Sequence, residues 1–74
     1  MIDFDKIKRE TEESYKDLNK AELQKVYERL DKEQRAVWDK YYKEQNSEKK
    51  EHYGKLWEEL DVKLFAVYKL QREY

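Results

Sequence analysis

The residue most able to do chemistry in this chain is its single histidine, His52. Glu48 precedes it by one helical turn and Glu51 is its neighbour, so an imidazole and carboxylates could face one ion. A transition-metal site needs about four ligands, and neither a second histidine nor any cysteine exists to complete the set. A solvated histidine is expected, with no metal and no cofactor. Glu58, Glu59 and Asp61 bring three carboxylates close together in the chain. Paired carboxylates serve as acid and base only where a cleft drives their pKa values apart, and a small helical domain offers little cleft. Ser14 and Ser47, the only serines, lack a neighbouring histidine and acid, and no glycine-rich loop could cradle a phosphate. The expectation is a protein that is not an enzyme, with no catalytic residue.

Seventeen Lys and Arg residues raise the question of nucleic acid. Phosphate recognition gathers bases on a stripe free of acids. Here Lys6, Lys8 and Arg9 lie between Asp5 and Glu10, and Lys49 and Lys50 between Glu48 and Glu51. Lys25, Arg29 and Lys32 share a helical face with Glu28 on its edge. The mixture reads as a solubilising surface, and direct contact with nucleic acid stays an alternative. The aromatic residues are the stronger signal, because Tyr and Trp are enriched where proteins bind proteins. Seven Tyr, two Trp and two Phe are more ring surface than a core this small can bury. Trp38, Tyr42, Phe65 and Tyr68, with Val62 and Ala66 from the same segment, are the candidate partner-binding residues.

These residues must be positioned by helices. The chain has no proline and one glycine, Gly54, so nothing punctuates strands or long loops. Charged residues make up 47% of it, yet the net charge is only −1. The charges fall in helix-supporting pairs with the acid four residues ahead of the base: Asp5–Arg9, Glu12–Lys16, Glu28–Lys32, Asp39–Lys43, Glu51–Lys55 and Glu59–Lys63. Each is worth about 0.3 kcal/mol. The spacing predicts an all-α fold, a compact bundle of three or four helices forming a single small domain over residues 1–74. Small domains of this kind usually add disulfides, a metal or a partner chain, and without cysteine the first is closed.

The organising element is a long amphipathic C-terminal helix over 48–73, after the N-cap residues Asn46 and Ser47. Tyr53, Trp57, Leu60, Leu64, Val67 and Gln71 form its seam, widened by Leu56 and Tyr68. Gly54 within it costs about 1 kcal/mol relative to Ala, and either admits a close neighbour or is simply tolerated. Asp3 caps a first helix to about Leu18 on the narrow stripe Phe4, Ile7, Thr11, Tyr15 and Leu18, the most weakly held of the set. Asn19 and Glu22 form a capping box for the next helix. Asp31 with Gln34 repeats that box and predicts a break into two helices. The competing pattern is one unbroken helix from Lys20 to Gln45, folded antiparallel on the last, with Leu23, Tyr27, Leu30, Gln34, Val37 and Tyr41 as its seam.

From Val62 to Leu70 the last helix is apolar nearly all round. At about 100° per residue, Val62 points opposite Tyr53, with Phe65 about 120° to one side and Ala66 about 140° to the other. Either other helices wrap this segment on several sides, or it exposes an apolar interface. A strand is the third reading, since Val62, Leu64, Ala66, Tyr68 and Leu70 also alternate. No apolar run approaches the ~20 residues of a membrane span, Met1–Glu10 has no signal-peptide pattern, and a cytoplasmic setting is expected.

In size, helical character and the residues Leu30, Ala36, Val37 and Trp38, the chain resembles the Hha/YmoA-type modulators of nucleoid proteins. That resemblance implies a small transcriptional or nucleoid accessory protein contacting nucleic acid directly or through a partner. The basic N-terminal pattern of that family is not reproduced here. Size and the Lys/Glu/Tyr-rich composition also resemble small phage-encoded proteins that inhibit host machinery. The reading favoured by the residues themselves is a non-catalytic protein–protein interaction module, a regulator or inhibitor binding another protein through an aromatic helix face. A structural homodimer, pairing the far side of 62–70 with its own copy, is the remaining alternative.

Overall fold

A computed structural model describes residues 3–73. The fold is all-α, with α1 over Phe4–Tyr15, α2 over Lys20–Lys43 and α3 over Ser47–Arg72. Each start is set by a side chain that satisfies amides the helix leaves unpaired. Asp3 accepts from the Lys6 amide at 3.0 Å. Asn19 and Glu22 exchange side-chain and backbone bonds in a complete capping box, at 2.8 and 3.2 Å. Asn46 accepts from the Glu48 and Lys49 amides at 3.0 and 3.2 Å.

The break expected at Asp31 does not occur. Asp31 pairs with Arg35 one turn onward at 3.2 Å. Gln34 turns away from it, across to α3, where its amide donates to the Trp57 carbonyl and Asp61 Oδ1 at 3.4 and 3.3 Å. A capping box needs both side chains directed at each other's backbone. With both engaged elsewhere, and no Gly or Pro present, α2 runs through unbroken. Segment 62–70 is helical, which removes the strand reading.

A helix of 26 residues is about 39 Å long, close to the 43 Å longest extent of the molecule, so α3 runs its whole length. Helix α2 folds back along it, and α1 packs on another side of α3 while scarcely meeting α2. The core lies along the α2/α3 seam: Leu23, Leu30, Leu60, Leu64 and Val67 are buried, with Tyr15, Leu18, Val26, Tyr27, Val37 and Leu70 packed around them. Helix α1 is about 18 Å long and covers less than half of α3. Only Thr11 of α1 is buried, its hydroxyl donating to the Ile7 carbonyl at 2.7 Å. Glu12 Oε1 is enclosed there without a hydrogen-bond partner, an arrangement that weakens the contact.

Surface pairing follows the expected i, i+4 spacing at Asp39–Lys43 and Glu51–Lys55, at 3.1 and 3.5 Å. Lys16 instead takes Glu13 at 2.8 Å, a hydrogen bond that raises the lysine pKa, and Arg9 donates to the Asp5 carbonyl. None of these exposed pairs decides the fold. Among the described residues, no helix is long and apolar enough to cross a membrane.

Two outcomes follow from this packing. Gly54 faces the Tyr41 ring, and a Cβ there would lie 3.4 Å from Cε2, at ordinary contact. Gly54→Ala therefore gains helix propensity without a clash and raises stability by about 0.5–1 kcal/mol in thermal denaturation. In native-state hydrogen exchange, the amides of α1 exchange well before those around Leu23, Leu30 and Leu64, because α1 buries least.

Candidate functional site

The α2/α3 hairpin has two sides, and α1 covers only one. Glu59 and Lys63 of α3 line a groove with Ile7, Thr11 and Tyr15, so the side on which they project is the α1 side. At 100° per residue, Val62, Ala66 and Leu70 project the same way. Ala66 is fully buried and Val62 partly so. Ala66 therefore offers no surface to a partner, whereas Val62 keeps part of its side chain in solvent. The segment that is apolar all round thus divides: Ala66 is packed inward, Val62 is half-buried, and the Phe65–Tyr68 side is open.

On the open side, α2 contributes Tyr27, Asp31, Gln34, Arg35 and Trp38, and α3 contributes Trp57, Asp61, Phe65 and Tyr68. Two shallow grooves run end to end here. One lies between Tyr27, Phe65 and Tyr68, the other between Arg35, Trp38 and Trp57, and both share Asp31 and Gln34. Trp38, Tyr42, Phe65 and Tyr68 are 47%, 75%, 63% and 48% exposed. The four aromatic candidates therefore stand in solvent. Three of them line or adjoin one strip, and Tyr42 extends it at the loop end through its ring contact with Trp38 at 6.0 Å.

The rings are held in place. Trp38 stacks on Tyr41 at 5.4 Å and 16°, and meets Trp57 at 5.8 Å and 51°. Such pairs are worth about 0.5–1.5 kcal/mol beyond the area they bury. Lys50 lies over the other ring of this cluster, 5.0 Å from the centroid of Tyr41. At the far end, the Arg72 guanidinium sits 5.9 Å from the Tyr68 ring, and Gln71 donates to Gln24 Oε1 at 2.7 Å, tying the helices together. Between the aromatic ends, the buried Gln34 bridges to Asp61 and the Trp57 carbonyl, giving the strip a polar middle. The sequence pattern gave Trp57 as a seam position and Gln34 as a seam or capping-box position. Their part in the open face depends on where α1 lies, and spacing within one helix carries no such information.

The residues considered for chemistry are dispersed. Glu59 is on the α1 side, whereas Asp61 bonds Gln34 on the open side and Glu58 projects into solvent. His52 is exposed with its ring 6.0 Å from Tyr53, and Glu51 is taken by Lys55. Ser14 is an exposed residue of α1, and Ser47 opens α3. Among the described residues, no three His, Cys, Asp or Glu side chains gather to hold a metal. Of the basic trio on α2, Arg29 is drawn towards α1, donating to the Tyr15 hydroxyl at 3.1 Å.

A truncation series separates core from face. Gln34→Ala removes a buried bridge and costs about 1–2 kcal/mol. Phe65→Ala and Tyr42→Ala, at exposed positions, cost less than about 0.5 kcal/mol in urea denaturation. A loss at Phe65 as large as that of Leu64→Ala would place its ring in the core.

Comparison of the chain with models of known protein families, with curated proteins and with solved structures finds no match, which leaves the open aromatic face to be read from its own chemistry.

Proposed function

We propose that this protein is a non-catalytic interaction module that binds another protein through the open side of the α2/α3 hairpin, as a regulator or inhibitor in a cytoplasmic setting. The observation that supports the reading is the exposure of Trp38, Tyr42, Phe65 and Tyr68 along one side of a domain with few buried residues. Exposed aromatic surface is costly to keep in water and, when contiguous, marks interaction sites. Rings fixed by stacking, as Trp38 is by Tyr41 and Trp57, lose little further freedom on binding. Arg35, in the groove it lines with Trp38 and Trp57, adds the residue type that most often joins Trp and Tyr at the energetic centres of interfaces. The mixed charge around the strip would set partner choice and encounter rate more than affinity.

The test replaces Tyr42 with a photo-reactive phenylalanine analogue, cross-links in the native cell, and identifies the protein captured. Binding is then measured with that purified protein. Trp38→Ala weakens it at least tenfold while helical content stays unchanged. Equal affinity of Trp38→Ala, Tyr42→Ala and wild type would remove the face from the account.

A further inference from the structure

Helix α3 carries an exposed stripe that neither α1 nor α2 covers. Glu58, Asp61, Phe65, Tyr68, Lys69 and Arg72 are all exposed. At 100° per residue they fall within about 100° of one another around the helix, over an axial length of about 21 Å. Its charges are ordered: two acids at the N-terminal end, two rings in the middle and two bases at the C-terminal end. None of the four charged residues is in an ion pair among the described residues. Asp61 accepts only from the neutral Gln34 amide, and Arg72 rests on the Tyr68 ring.

The spacing of these charges is symmetric about Phe65. Glu58 precedes it by seven residues and Arg72 follows it by seven; Asp61 precedes it by four and Lys69 follows by four. An antiparallel copy of the same stripe, turned about a two-fold axis through Phe65, sets Glu58 opposite Arg72 and Asp61 opposite Lys69. An isologous contact repeats each pairing twice. A parallel copy in the same register sets acid against acid and base against base.

We propose that two copies of the chain pair through this stripe, α3 antiparallel to α3, with Phe65 at the two-fold axis. The inference rests on the reading of the open side as an interaction surface and assigns a second copy to its α3 edge. Phe65 and Tyr68 supply the apolar contact. The four charge pairs, each weak in water, fix direction and register. The Trp38–Tyr42 end is left outside the contact and is presented twice, once at each end of the dimer, for another partner.

Sedimentation equilibrium on the full chain, from micromolar to millimolar concentration, tests this with two charge-reversed variants. Glu58→Lys/Asp61→Lys makes the stripe wholly basic, and Lys69→Glu/Arg72→Glu makes it wholly acidic. Wild type is expected as a dimer that high salt weakens. Each variant alone is expected as a folded monomer by mass and circular dichroism, with dissociation at least tenfold easier. An equimolar mixture of the two regains the dimer mass, because acidic and basic stripes now meet. If the lysine variant fails to fold, Lys69→Glu/Arg72→Glu alone must still be monomeric. A monomeric wild type throughout overturns the dimer and leaves the Tyr42 cross-linking result standing on its own. A dimer that persists in either folded variant, or a mixture that stays monomeric, overturns it as well.

Discussion

One helix has to serve two neighbours. Among the described residues, helix α3 is the element that both others pack against, and α1 and α2 barely touch. It therefore needs apolar residues on more than one side, which is why 62–70 is apolar nearly all round. Leu60, Leu64 and Val67 close on α2, and Ala66 with half of Val62 turns to the α1 side. A twelve-residue α1 spans too little of α3 to enclose the remainder. The open strip from Tyr42 to Tyr68 follows from that shortfall.

A core of so few buried side chains leaves the domain narrowly stable. Much of the rest of the ordering is local. Three side-chain caps fix where the helices begin, and the stacked rings at the loop end hold the hairpin where no third helix reaches. Gln34 ties its middle and Gln24–Gln71 its far end. The open side is thus a surface whose two helices are tied together along its length, with aromatic ends and a polar centre, in a molecule with little stability to lose. Substitutions on it that change binding should be separable from those that unfold the chain, because its rings lie outside the main core.

How much of this was legible differs from residue to residue. Asp3, Asn19 with Glu22, and Asn46 were readable as caps because capping is decided within a few residues of chain. The seam of α3 was readable from its 3–4 spacing. Asp31 and Gln34 have the same spacing as a capping box, but Gln34 is claimed by Trp57 and Asp61 on another helix, a contact no local pattern reveals. Likewise, sequence placed Ala66 and Phe65 on opposite flanks of the seam without indicating which flank α1 would cover. That choice depends on the geometry of the 16–19 turn. Ala66 is enclosed, and Phe65, Tyr68, Trp38 and Tyr42 are exposed because their side of the hairpin receives no helix.

The division of α3 into a covered and an open flank is the central claim, and thiol labelling tests it most directly, since the chain has no cysteine of its own. Single cysteines at positions 65, 66 and 38 would be reacted with a maleimide in dilute native solution. The account predicts fast labelling of Phe65→Cys and Trp38→Cys, and labelling of Ala66→Cys only as quickly as the protein opens. Labelling of Ala66→Cys at the same rate as Phe65→Cys would contradict it, because α1 would then not cover that flank.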